Sequence, residues 1–557
     1  MSAIYDLADD YVVRYAALSP NAATSMGIPG HETELTDFSP DGHEARAALE
    51  RETLAALAAA TVEDDRDRVA RDAMSESMRL SGELHDAGER FRSLNILASP
   101  LQSLRRVFDL MPRDTEEHWS NIAARLAALP TAVDGLRQTL DTGIERGMVS
   151  TQRQASECAK QCATWSGAAG MPSYFDGLAE AFEASDVASE GLAGQLRTGA
   201  AAANEAFAGF GRYLDETYVP AAEPHDPVGR DRYALGVQVF TGATPDLDET
   251  YAWGWSELHR IEAEMEATAE RIAPGVGVEG VKELLEADPD RAIDGVDAFQ
   301  QWMQNLQETT IAELNGTHFD LPEEVQRIEA MIAPPGGPLA MYYTGPSEDF
   351  SRPGRTWYPT AGKTRFPLWG EVSIAYHEGV PGHHLQIGMT VYLREHLSRW
   401  QRLLGGSSGY SEGWGLYAER LMGELGYLEN PDYYLGMLRA QALRCARIVV
   451  DIGMHLELPI AEHDHFHPGE TWTPELGLEF VLQRAHFPAD FMASEVDRYL
   501  GVPGQAISYK VGERAWLDAR EAARRRDGSS FDLAAFHAQA FELGPMGLDQ
   551  MRRELGG

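Results

Sequence analysis

Ala375-Tyr376-His377-Glu378-Gly379-Val380-Pro381-Gly382-His383-His384-Leu385-Gln386 sets a His-Glu pair, a Pro-Gly break and a His-His pair in one short stretch. A His-Glu followed closely by His is how a helix offers a metal ion two imidazoles and places a carboxylate beside the water to be activated. The usual spacing puts the histidines four residues apart. Here His383 follows His377 by six residues and His384 by seven. On a straight helix, at about 100° and 1.5 Å per residue, the sixth position faces about 240° away and the seventh lies about 10 Å along the axis. Two nitrogens on one zinc sit only about 3.3 Å apart, so a straight helix fails with either histidine. Pro381 has no N–H to give the His377 carbonyl, and Gly379 and Gly382 open backbone angles closed to other residues. An excursion through Gly379–Gly382 would carry His383 to the place of the usual second imidazole and leave His384 beside it as support.

Such a site needs a third protein ligand and an open position. Gly409-Tyr410-Ser411-Glu412-Gly413-Trp414-Gly415-Leu416-Tyr417-Ala418-Glu419-Arg420 reads as the start of a helix capped by Ser411. Glu412 and Glu419 share one face but lie about 10 Å apart along the axis, so they cannot both ligate one ion. Glu412 is the expected ligand, and Glu419 supports the site or contacts substrate. A His₂Glu set favours zinc, although nickel or cobalt fits the same donors.

His377-Glu378…His383 followed by Ser411-Glu412-Gly413-Trp414-Gly415 resembles the gluzincin metallopeptidases, with their H-E-x-x-H…E arrangement. The form HEGVPGHHLQ is similar to that of the bacterial DUF885 family, as are Ser351-Arg352-Pro353-Gly354 before it, SEGWGLYAE after it and Pro503-Gly504-Gln505-Ala506-Ile507-Ser508-Tyr509-Lys510-Val511-Gly512 near the end. The inserted residues between the histidines depart from the gluzincin spacing. The resemblance implies a mainly α fold like that of the thimet oligopeptidase, carboxypeptidase Taq and angiotensin-converting enzyme families, with zinc at the base of a deep channel.

Two further polar sets bear on the site. Arg444, Arg447, Asp451 and His455 form a stripe on the otherwise apolar helix Ala442–Glu457, with Asp451 and His455 expected to support the metal ligands. Tyr499 and Tyr509 are candidate hydrogen-bond donors to an oxyanion, and Gln505 a substrate contact. Arg352, Arg498 and Lys510 are cations in loops expected near the metal, and at least one is expected to receive the substrate's C-terminal carboxylate. The histidines in Glu462-His463-Asp464-His465-Phe466-His467 are flanked by prolines and read as an exposed loop.

The 557 residues are 43 % hydrophobic and 24 % charged, as in a globular protein, with 47 Lys and Arg against 87 Asp and Glu for a net charge of −40. That field repels nucleic acid and anionic membrane; it also fits a general acidic habit unrelated to substrate. Three cysteines allow no disulfide framework, and the first residues show no signal-peptide pattern, so a cytoplasmic protein is expected.

Three- and four-residue apolar steps predict helices over Leu7–Leu18, Glu44–Ala60, Asp64–Leu84, Glu116–Arg146, Gln152–Trp165 and Gly191–Glu216. These form a helical scaffold over 1–218. A Pro-rich linker spans 219–235, and a catalytic part spans 236–557. In the latter, Val325–Ile332 and Leu339–Thr344 predict a hairpin about Pro334–Pro338, and Asp349–Thr360 reads as a loop. The expected activity is that of a zinc-dependent hydrolase, a carboxypeptidase or oligopeptidase cleaving short peptides, with Glu378 moving the proton. The alternatives are a zinc amidohydrolase or esterase and a helical binding protein with a relict site.

Overall fold

The computed structural model describes residues 2–333, 340–360 and 362–556. Helices take up 68 % of the chain and the strands form only two small sheets, so the fold is mainly α. Contacts divide it into two compact units. One holds Met1–Val62, Met78–Asp226 and Leu500–Val502; the other holds Glu63–Ser77, Pro227–Tyr499 and Pro503–Gly557. The division at Asp226 falls inside the Pro-rich stretch. Glu63–Ser77, expected in the N-terminal scaffold, belongs with the second unit, where Arg68 donates to both carboxylate oxygens of Glu554 at 2.7 and 2.8 Å.

The first unit is helical because its apolar residues recur at helical steps and its caps are explicit. Ser2, Ser39, Thr115 and Thr151 each accept from an amide in the first turn of the helices Ala3–Leu18, Pro40–Ala59, Glu116–Arg146 and Gln152–Trp165. The first two helices begin earlier than periodicity predicts because these caps and Pro40 precede the apolar stripe. The core runs through Leu104, Phe108, Leu126, Leu136, Phe175 and Phe207. Cys158 and Cys162 are buried in it, and burial pushes the Cys158 thiol up to about 12, so both behave as apolar packing.

In the second unit, β1 (Ala292–Asp294) pairs antiparallel with β5 (Arg365–Pro367). The larger sheet has the order β2 (Ile328–Ile332), β4 (Gly354–Tyr358), β3 (Tyr342–Thr344), with β2–β4 parallel and β4–β3 antiparallel. The expected hairpin is therefore opened by a strand inserted from the stretch read as a loop. Residues of β4 alternate in burial, and its outward side chains grip both neighbours: Arg355 donates to Glu329 of β2 at 2.7 Å, and Trp357 stacks on Tyr342 of β3 at 5.8 Å. The turn Pro334–Pro338 and Leu339 lie outside the described residues.

Four helices matter most for the site: Glu371–Glu378, His383–Tyr392, Ser408–Glu424 and the long Pro431–Leu456, buried along nearly all of its second half. The Ser408–Glu424 helix is capped by Ser407, whose hydroxyl accepts from Tyr410 N–H, so Ser411 lies inside it. His463 and His465 are exposed in a loop pinned by buried Asp464, which accepts from Arg484 and faces His259 Nε2 at 2.6 Å. Among the described residues no helix is long and apolar enough to cross a membrane.

Candidate metal centre

The His-Glu stretch folds as two helices joined by a turn. The first ends at Glu378 and the second begins at His383. Gly379 N–H reaches the Ala375 carbonyl at 2.9 Å, and Gly382 N–H reaches the Tyr376 carbonyl at 3.0 Å, closing the turn back over the end of the first helix. Neither glycine of this turn leaves room for a side chain. A Cβ on Gly382 would lie 1.9 Å from the His377 carbonyl oxygen, and one on Gly379 would lie 2.0 Å from the Gln307 amide. Trp414 holds the outside by donating its indole N–H to the carbonyls of Pro381 and Gly382 at 2.8 and 3.2 Å. Gly382→Ala is expected to lower stability by about 1–3 kcal/mol, as overpacking does, and to lower metal content with it; unchanged thermal unfolding and metal content would show that the turn has slack.

The turn brings the His377 and His383 rings to 4.7 Å between centroids at 83°. Glu412 Oε2 stands 3.3 Å from His377 Nε2 and 3.5 Å from His383 Nε2, and the three ligand atoms lie within 4.8 Å of one another. Two tetrahedral ligands of one zinc, each at about 2.0–2.2 Å, are about 3.3–3.6 Å apart. The spacing to Glu412 is therefore that of donors sharing an ion. His377 Nδ1 donates to Glu419 Oε1 at 2.8 Å, which keeps the proton on Nδ1 and leaves Nε2 as the atom facing the cluster. The other oxygen of Glu419 accepts from Ser373. Gly415, between the two glutamates, leaves room for the ring: a Cβ there would lie 2.5 Å from His377 Cε1.

The electrostatics select positive charge. Burial disfavours an imidazolium, yet Glu412, Glu419 and Glu378 together raise His377 to about 10, and Glu412 is held well below the usual carboxylate range chiefly by its two histidine neighbours against the cost of burial. Glu378 is buried and raised by that burial, with the histidines and Arg444 offsetting part of the effect. Two imidazoles and a low-lying carboxylate around one point are a donor set that fits a divalent ion.

His384 has no lone pair to offer. Its Nε2 donates to the Val325 carbonyl at 2.7 Å, its Nδ1 accepts from Tyr343 O–H at 2.9 Å, and burial lowers its pKa to about 4, so it is a neutral brace between the turn and the sheet.

Other expected residues are placed elsewhere. Asp451 accepts from Tyr233 O–H at 2.7 Å and Gly504 N–H at 3.2 Å, and His455 Nε2 donates to the Tyr499 carbonyl at 3.0 Å; none of these contacts is to a candidate ligand. Burial leaves Asp451 raised to about 7. Tyr499 donates its hydroxyl to Glu495 at 2.8 Å while accepting from Arg447 at 3.1 Å. Tyr509 is half-buried, raised by burial and then by the charge of Glu412. Arg498 donates to both oxygens of Glu495 at 2.9 and 2.7 Å and to Gln505, whose amide donates to Ser408 at 3.3 Å. Lys510, 1 % exposed, donates to Gln441 at 2.8 Å, Glu257 at 3.2 Å and Glu513. Arg352 is half-buried beside Tyr343, and among the described residues its side chain bonds the neighbouring Pro353 carbonyl alone, at 3.4 Å.

Ser373, Tyr343 and Gln307 support the site through Glu419, His384 and the Ala375 carbonyl, roles their place in the sequence does not mark. Ser373 alone had a local signal, being one helical turn before His377.

The fold is shared with solved structures. A protein of Colwellia psychrerythraea provisionally named a lipoprotein superposes with a TM-score of 0.85 at 21 % identity over 100 % of this chain and 99 % of its own. A second provisionally named lipoprotein, of unknown function, from Shewanella oneidensis gives 0.73 at 16 % identity over 99 % of each chain. A carboxypeptidase of Pyrococcus furiosus aligns over 100 % of this chain and 96 % of its own, but at a TM-score of 0.43 and 11 % identity it is too distant to bear on this protein. No curated protein matches the chain. A family profile described as bacterial protein of unknown function (DUF885) matches residues 20–555, and the chain belongs to that family.

Proposed function

We propose that this protein is a zinc-dependent hydrolase acting on an amide bond of short peptides. The observation that carries the reading is the convergence of His377 Nε2, His383 Nε2 and Glu412 Oε2 within 4.8 Å, with the carboxyl of Glu378 beside them. When bound, the ion supplies a Lewis acid that acidifies water and polarises a carbonyl. His377 and His383 would hold it as neutral imidazoles once the ion displaces the Nε2 proton of His377, and Glu419 would keep His377 in the tautomer that can do so.

Glu378 accepts a proton from the attacking water and delivers it to the departing nitrogen. Its burial suits both halves of that task, because a carboxyl raised from its ordinary range takes a proton readily and still gives it up to an amine. Tyr509 donates its hydroxyl to the carbonyl oxygen as that atom gains charge. It is preferred to Tyr499, whose hydroxyl proton goes to Glu495.

The test is metal content and turnover on one preparation. About one zinc per chain is expected, as the donor count implies. Chelation should abolish hydrolysis of a panel of free and blocked dipeptides, and zinc should restore it. Esters cleaved in preference to every peptide would move the activity to an esterase, and a chelated protein that turns over as before would sink the metal reading.

A further inference from the structure

Three buried arginines stand around Tyr509, and two carboxylates are shared among them. Glu495 accepts from both Arg447 and Arg498. Glu419 is taken by His377 and Ser373, and Arg444 comes only to 4.0 Å from its Oε1. Arg444 is 7 % exposed, yet none of its five N–H groups is hydrogen-bonded to a described residue, and its Nε is fully enclosed. Arg447, one helical turn on, has an enclosed NH1 that is likewise unspent. Their guanidinium carbons lie 5.9 and 4.5 Å from the centroid of the Tyr509 ring. Burying a guanidinium with its N–H groups unspent is costly, and here it is found in a chain of net charge −40. Of the cations expected from the sequence, Lys510 and Arg498 have spent their donors inside the protein.

We infer that Arg444, with Arg447 beside it, receives the free C-terminal carboxylate of a short peptide next to the His377–His383–Glu412 cluster. This rests on the hydrolase reading above and names the substrate feature that the site reads. Only one carboxylate separates Arg444 from His377: the Glu419 oxygen 4.0 Å from Arg444 is the one 2.8 Å from His377 Nδ1. One extended residue spans at most about 3.6 Å, so a carboxylate one or two residues beyond the reacting carbonyl comes within reach. A planar guanidinium with free N–H groups matches a carboxylate in bidentate fashion. The chemistry is thus trimming from the C-terminus: water adds to the amide carbonyl, the C–N bond breaks, and the released residue leaves with its carboxylate.

The test measures binding rather than turnover, on the zinc-loaded full-length Glu378→Gln protein. Calorimetry with N-acetyl-Ala-Phe and its C-terminal amide should show the acid bound at least about tenfold more tightly, the least a charge-assisted pair of this kind contributes. Adding Arg444→Gln should bring the acid down to the amide, and Arg444→Lys should restore part of the preference, which loss of packing alone would not do. Equal affinities before any arginine is changed, binding of neither probe, or a preference that survives Arg444→Gln would each overturn the inference. Failure of the protein to take up zinc would instead overturn the hydrolase reading beneath it.

Discussion

Glu378→Gln is expected to fold, to hold its metal and to lose about 10²–10⁴-fold in turnover, the range contributed by one positioned proton-transfer group. The swap preserves shape and removes only the ability to carry a proton. The residue is buried at the end of the Glu371–Glu378 helix, and among the described residues its carboxyl has no hydrogen-bond partner that the change would strand. Single-turnover hydrolysis together with metal analysis separates the two properties. Near-normal hydrolysis with metal retained would remove Glu378 from the chemistry.

The second large effect concerns the metal itself. Replacing His377, His383 or Glu412 by Ala should cost more than the about 10–100-fold in affinity that loss of a supporting partner costs. Glu419→Gln should fall within that range, because it weakens the grip on His377 Nδ1 and leaves the three donors in place. His384→Ala should leave metal affinity nearly unchanged and show its effect in stability, since both ring nitrogens are spent on Val325 and Tyr343. Metal titrations of the five variants would decide. A site emptied by His384→Ala and retained by His383→Ala would reverse the assignment.

Much of this arrangement could be read from the chain because the deciding constraints are local. The Pro-Gly turn rules out a straight helix, and the seven-residue spacing of Glu412 and Glu419 rules out one ion bound by both. Helices in the first unit were equally legible from periodicity, with starts shifted where Ser39 and Pro40 act before the apolar stripe. What escaped was set by partners distant in sequence. Pro353-Gly354 signalled a loop, yet Glu329 and Tyr342 claim the residues after it as a central strand. Asp451 is one position in a polar stripe until Tyr233, 218 residues away, is seen to hold it. Arg444, Arg498 and Lys510 look alike in sequence. Which of them is unspent depends on where Glu495, Gln441 and Glu257 fall.

Glu412 and Glu419 face the two nitrogens of the same ring, and Gly415 lies between them where the ring passes. Rotating the Ser408–Glu424 helix by one residue, about 100°, would strip both contacts at once and drive a side chain into the imidazole. Metal occupancy should therefore act as a ratchet pawl on that helix, permitting one angular setting and no neighbouring one. Amide hydrogen exchange should record this as protection that rises on zinc loading along the whole of Ser408–Glu424, out to the turn around Leu425, rather than fading a few residues from Glu412.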